Sequence, residues 1–155
     1  VENLHRILSE HPFLEGLSDI YLDLLVGCAS NVVFKEGELI CREGQAADSF
    51  YFIRHGRVQI ETHMPQQGPL IIHTRHDGEV FGWSWLVPPY RWRFDARATE
   101  VTRAIAMDGK CLRGKCEEDH DLGFEIMKRF SLIIAERLEA TRLQLMDIYG
   151  NSRHA

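Results

Sequence analysis

FKEGELICREGQAADSFYFIRHGRVQI, residues 34–60, is a succession of short apolar segments cut at intervals by glycine. Leu39-Ile40-Cys41, Phe50 to Ile53 and Val58 to Ile60 are β-branched or aromatic, and Gly37, Gly44 and Gly56 punctuate them. Runs of this kind at roughly ten-residue spacing predict an antiparallel sandwich or barrel. His55-Gly56 is short enough to predict a tight hairpin.

The pattern continues outward on both sides. Upstream lies Val32-Val33-Phe34, and downstream PLIIHT (residues 69–74) follows the turn residues Gln66-Gln67-Gly68-Pro69. Beyond the break at Pro88-Pro89, FDARAT and TRAIAM predict the last two strands, for about eight in all. Before residue 31 the period is helical: Leu4, Ile7 and Leu8 form one short helix stopped at Pro12, and Ser18-Asp19 cap a second. From Glu117 to about Tyr149 the residues Met127, Ser131, Ile134, Leu138, Thr141, Leu145 and Ile148 step alternately by four and three. This near-heptad stripe predicts one long amphipathic helix able to pair with a second copy. Gly150 is read as its stop and GNSRHA as a tail. The fold class is therefore mostly β with flanking helices: two short N-terminal helices, about eight strands and a long C-terminal helix. One domain is expected over residues 1–149, with a tail over residues 150–155.

Composition narrows the functional classes. With 155 residues, 45% hydrophobic and 26% charged, the chain fits one globular domain, and no apolar run approaches the ~18 residues that span a bilayer. A net charge of -5 argues against a nucleic-acid surface, so no direct nucleic-acid binding is expected. The start, VENLHRILSEHPFL, carries no secretory pattern, and a cytoplasmic location is expected. Cys28, Cys41, Cys111 and Cys116 are then expected as free thiols. Cys111 and Cys116 have no partner pair at zinc spacing, and the eight histidines show no ligand spacing, so no metal is expected. G-x-S-x-G, H-E-x-x-H and Walker-type motifs are absent, which points away from an enzyme. Glu117-Glu118-Asp119-His120-Asp121 is read as favourable charge at a helix N-terminus.

Read together, Phe34-x2-Gly37, Ile40-x3-Gly44, Ala47-Asp48, Tyr51-x-Ile53-x2-Gly56 and Val58-x-Ile60 resemble the first half of a cyclic nucleotide-binding domain. Such domains occur in the catabolite activator and FNR-type regulators and in cyclic-nucleotide-dependent kinases and channels. The resemblance covers roughly residues 10–149 and implies a double-stranded β-helix, or jelly roll. It also implies that residues 77–99, DGEVFGWSWLVPPYRWRFDARAT, correspond to the family's phosphate-binding cassette. Phe81, Gly82 and Leu86 match that cassette, whereas Trp83 stands where the family places a ribose-binding glutamate. The phosphate arginine is either Arg91 or Arg93, depending on the direction of counting, and neither is followed by Ser/Thr-Ala.

Two functions follow from the resemblance. In the first, a regulatory sensor domain binds cAMP, cGMP or a related anionic ligand through Phe81, Gly82, Trp83, Ser84, Trp85 and Arg91 or Arg93. Thr141 of the terminal helix would reach over the base, and the helix would pass the signal to a homodimer or another protein partner. In the second, Trp83 and Trp85 fill the pocket, leaving a ligand-free interaction or dimerisation module. No helix-turn-helix follows the long helix before Ala155, so an effect on transcription would need a partner or another domain.

Overall fold

The computed structural model describes the backbone of residues 3–154 and the side chains of residues 3–150. Helix α1 (Leu4–Glu10) is capped by Asn3, whose side chain accepts from the Arg6 N–H, and it ends before the 3-10 turn Pro12–Leu14. Helix α2 (Asp19–Val26) starts at Ser18, whose hydroxyl accepts the Tyr21 N–H. Each side chain satisfies a backbone donor that a helix start leaves unpaired. The strands follow: β1 (Ala29–Phe34), β2 (Leu39–Cys41), β3 (Ser49–His55), β4 (Arg57–Met64), β5 (Gly68–His76), β6 (Val80–Phe81), β7 (Asp95–Ala98) and β8 (Thr102–Asp108). Helices α3 (Gly109–Glu118) and α4 (His120–His154) complete the fold.

All the pairings are antiparallel, in two four-stranded sheets ordered β1-β8-β3-β6 and β2-β7-β4-β5. This is the jelly roll of the sequence expectation, and it carries two hydrophobic clusters. One lies between the first sheet and the helices, where Phe50, Phe52, Ile105 and Met107 meet Leu8, Leu25, Leu112, Leu122, Ile126 and Phe130. The other fills the roll, with Cys41, Ala47, Ile53, Val58, Ile60, Phe81, Trp92 and Ala96. Strand β3 serves both because side chains alternate along a strand: Phe50 and Phe52 face the helices, while Tyr51 and Ile53 face the roll.

Four local expectations change. His55-Gly56 does not close a hairpin, because β3 and β4 belong to different sheets and the chain turns a corner there. Gly56 has φ +134°, and a Cβ would collide with Thr102, so only glycine suits the corner. Its N–H donates to the Asp77 carboxylate at 2.6 Å. Residues 109–118 form a separate helix, capped by Asp108, and the long helix begins only at His120. Asp119 sits at the joint and accepts the Asp121 and Leu122 N–H groups, which gives part of the acidic run a capping role. Gly150 does not stop α4, which continues to His154; Ala155 lies outside the described residues. Finally, Cys28 and Cys111 are joined in a disulfide, and only Cys41 and Cys116 are free thiols. The fold brings the end of α2 against the start of α3, with Cα atoms 5.8 Å apart across a sequence separation of 83.

Candidate functional site

The cassette is built on β6, a two-residue strand that pairs Phe81 with Tyr51 and Val80 with Phe52 of β3. Phe81 is thereby placed inside the roll, its ring stacked on Tyr51 at 5.0 Å. Gly82 follows at φ +94°, a conformation open to glycine, and the 3-10 turn Ser84–Leu86 comes next. The chain then passes a cis Pro88-Pro89 bond and Tyr90 at φ +58°. It returns alongside residues 44–47, with Ala47 N–H donating to the Tyr90 carbonyl (2.7 Å), Trp92 N–H to Gln45 (2.8 Å) and Gly44 N–H to Trp92 (2.8 Å).

This return path sets the side-chain phase. Trp92, Phe94, Ala96 and Ala98 share one face, and Trp92, Ala96 and Ala98 on it are buried. Arg91 and Arg93 are exposed on the other face, which they share with Asp95 and Arg97. Arg91 donates to the Gly44 carbonyl at 2.9 Å, and both arginines line an open surface hollow with Glu43 and Pro89. Asp95 accepts the Glu43 N–H at 2.8 Å, while Arg97 pairs with buried Glu61 at 3.3 Å.

The residue that reaches Gly82 is Trp92. A Cβ built on Gly82 would lie 2.7 Å from the Trp92 ring, so the indole rests directly on the glycine backbone. Between the cassette, the second sheet and α4 lies a cavity of about 20 Å³, lined by residues that include Ile60, His73, Arg75, Phe81, Gly82, Trp83, Ile133 and Arg137. That is room for about one water molecule. A cyclic nucleotide does not fit that cavity, since small-molecule sites run to roughly 300–1,000 Å³; Arg75, Val80 and Ile133 also line an adjoining open hollow of about 250 Å³ with Pro12, Phe13, Gly78, Glu79 and Glu136.

The two tryptophans singled out in the sequence have different places. Trp83 is half-buried and borders the small cavity. Trp85 is wholly buried in the helix-facing cluster, stacked on Phe50 at 4.8 Å and edge-on to Phe130, away from the roll interior. Ser84 is buried within the 3-10 turn, whose N-cap is Trp83. Thr141 is exposed and donates its hydroxyl to the Arg137 carbonyl one turn earlier on α4.

Sequence reasoning passed over the charged cluster where β5 meets α4. Arg75, with only 6% of its side chain exposed, donates to Glu79 at 2.7 Å and stands 3.6 Å from Glu136. Glu79 also accepts the His76 N–H at 2.8 Å. His73 Nδ1 is buried with no hydrogen-bond partner. Burial, reinforced by the charges of Arg137 and Arg75, pushes its pKa down to about 3, so the imidazole is neutral at ordinary pH. Burial and then the Arg75 charge also pull Arg137 downward. Alternation along PLIIHT hints that some of these residues face inward, but their meeting with α4 lies more than sixty positions away along the chain.

Residues 31–119 match the sequence model of the cyclic nucleotide-binding domain family. The chain belongs to that family. It is 22% identical over 145 residues to a CRP-like cAMP-activated global transcriptional regulator of Mycobacterium tuberculosis, covering 94% of this chain and 63% of the relative. The chain therefore spans less than two thirds of that regulator's length. Among solved structures, a cyclic nucleotide-binding protein from Geobacter metallireducens aligns with TM-score 0.78 and 25% identity, over 89% of this chain and 99% of its own. Two more share the fold: the sensor domain of the transcriptional regulator DNR from Pseudomonas aeruginosa (TM-score 0.70, 19% identity, 87% and 91% covered) and the Thermus thermophilus catabolite activator protein (0.70, 19%, 86% and 61%). Among the described residues no helix is long and apolar enough to cross a membrane, and no group of three His, Cys, Asp or Glu is placed to hold a metal.

Proposed function

We propose that this domain is a regulatory interaction module whose nucleotide pocket is occupied by its own side chains, and that it acts as a homodimer through α4. The observation that carries the first half is the Trp92 indole lying on Gly82, the glycine that also borders the cavity of about 20 Å³. In this reading Trp92, rather than Trp83 or Trp85, is the principal filler. The second half rests on α4, where Leu138, Leu145, Met146, Ile148 and Tyr149 are each more than half exposed. A helix with an apolar stripe buries it against a partner, and a near-heptad period suits a second copy of itself. The reading places the domain in the cytoplasm, makes its output a change in protein partners rather than a reaction, and gives this chain no direct contact with nucleic acid.

Sedimentation equilibrium tests it directly. Wild-type protein is expected to be dimeric with or without millimolar cAMP, and a Leu138→Glu/Leu145→Glu variant monomeric. A wild-type monomer, or a dimer that forms only with cAMP, contradicts the reading.

One observation favours a second reading, the sensor. Arg75, Arg137 and the unpartnered His73 Nδ1 surround the residual cavity, and an anion admitted by displacement of Trp92 or α4 would find donors there. Phe81, Gly82, Trp83 and Ser84 would then form its cassette side. Trp85, Arg91, Arg93 and Thr141 would have to be repositioned to take part, because they lie away from the cavity.

A further inference from the structure

We propose that the Cys28–Cys111 pair is a reversible redox site, reduced by a dithiol, whose opening releases α3 from α2 and loosens both the cassette and the root of α4. The inference rests on what α3 holds together. At its first residue, a Cβ on Gly109 would stand 2.8 Å from the Cβ of Trp85, so the helix start is pressed against the cassette. One turn on, Arg113 donates to the Trp85 carbonyl and its guanidinium lies 4.1 Å over the Tyr90 ring. At the far end, Gly123 of α4 approaches the Cys116 carbonyl so closely that a Cβ would come within 3.1 Å. The disulfide is the covalent tie between this helix and α2, joining Cys28, just past the α2 end, to the first turn of α3.

The two sulfurs differ in a way that suits exchange rather than permanent stapling. Cys28 is 6% exposed, whereas Cys111 is half-buried and within reach of a small thiol. Cys111 also lies in the first turn of α3, where its N–H donates to the capping Asp108 carboxylate at 3.0 Å, so its sulfur sits at the edge of the helix rather than inside a cluster. A domain with two hydrophobic clusters of this size does not need a staple to fold. The free thiols are poor competitors. Burial pushes Cys41 up to about 12 and raises Cys116 as well, so both stay protonated.

The chemistry is a two-electron thiol–disulfide exchange. A thiolate of the dithiol attacks Cys111 Sγ, forms a mixed disulfide and expels Cys28 as a thiolate, which takes a proton. The second thiol of the reductant then attacks its own sulfur in the mixed disulfide and releases Cys111. The reductant leaves as a disulfide, and the protein holds two thiols. An oxidised dithiol runs the steps backward.

The test uses the folded wild-type chain titrated with reduced and oxidised dithiothreitol. After the folded protein is equilibrated with the couple and acid-quenched, alkylation in denaturant followed by mass measurement should count two free thiols in the oxidised protein and four in the reduced one. Hydrogen exchange at α3 and at Ser84–Leu86 should quicken at least tenfold on reduction and recover on reoxidation. A Cys28→Ser/Cys111→Ser variant should exchange like reduced wild type and ignore dithiothreitol. The inference is overturned if the pair opens only in denaturant, if it never forms under oxidised dithiothreitol, or if reduction leaves exchange at α3 unchanged. Should the variant fail to fold, the wild-type titration alone decides. The filling of the nucleotide pocket and the dimer are not involved in either readout, so the redox site stands or falls separately from them.

Discussion

Truncating Trp92 to alanine removes the side chain that closes the roll over Gly82. The indole is 5% exposed, lies 5.6 Å from the Phe94 ring, and packs among Ile53, Val58, Ile60, Phe81 and Ala96. The backbone bonds that Trp92 makes with Gly44 and Gln45 survive the change, so the loss is one of packing alone. Removing a buried Trp side chain costs about 3–5 kcal/mol, made up of lost transfer energy and the void left behind. For a domain of this size that corresponds to a fall in Tm of roughly 6–20 °C. The new space approaches the size of engineered apolar cavities of about 150 Å³ that take up benzene. Urea unfolding of wild type and Trp92→Ala, each with and without saturating benzene, measures both effects. The variant should lose several kcal/mol and regain part of it with benzene, while the wild type does not respond. An Arg93→Ala control should stay within about 0.5 kcal/mol, because Arg93 is exposed. A Trp92→Ala protein within about 1 kcal/mol of wild type would refute the reasoning, since it would mean that the indole does not fill the roll.

Two further outcomes follow from the same structure. His73 stays neutral when folded, with a pKa near 3, but takes up a proton near pH 6.5 when unfolded. Acid therefore favours the unfolded chain: the His73 contribution is intact above about pH 6.5 and is lost progressively between there and pH 3, by at most about 1.4 kcal/mol per pH unit and less where solvent screens the ring. Urea midpoints from pH 7 to pH 5 should fall more steeply for wild type than for His73→Gln, and equal slopes would remove His73 from the account. Reducing Cys28–Cys111 opens a covalent loop with a sequence separation of 83, worth about 4–5 kcal/mol in the chain-entropy treatment, so the reduced protein should melt roughly 8–20 °C lower. Superimposable melts with and without reductant would count against the disulfide.

The roll was readable because its rules are local. Glycine spacing and two-residue alternation in residues 34–60 fix strands and turns wherever they pair. The same alternation also contained the answer for the arginines. Carried back from Ala96 and Ala98, the phase puts Phe94 and Trp92 on the inner face and Arg93 and Arg91 on the outer one, whereas counting along a family pattern ignores phase. The Gly56 corner was misread because a two-residue link looks the same whether it joins neighbouring strands or passes from one sheet to the other. Helix α3 escaped notice because its sequence, GKCLRGKCEE, has two glycines and only one large fully buried side chain, Leu112. The Arg75–Glu136 contact and the Cys28–Cys111 bridge join positions 61 and 83 residues apart, and no local pattern announces such meetings.

Calorimetric titration of the wild-type domain with cAMP and cGMP, up to millimolar ligand, addresses the pocket most directly. With Trp92 seated on Gly82 and a cavity of about 20 Å³ at the cassette, neither nucleotide should produce saturable heat or raise the Tm. Saturable binding of either one at micromolar Kd, accompanied by a change in tryptophan fluorescence, would contradict the self-filled pocket and favour the sensor.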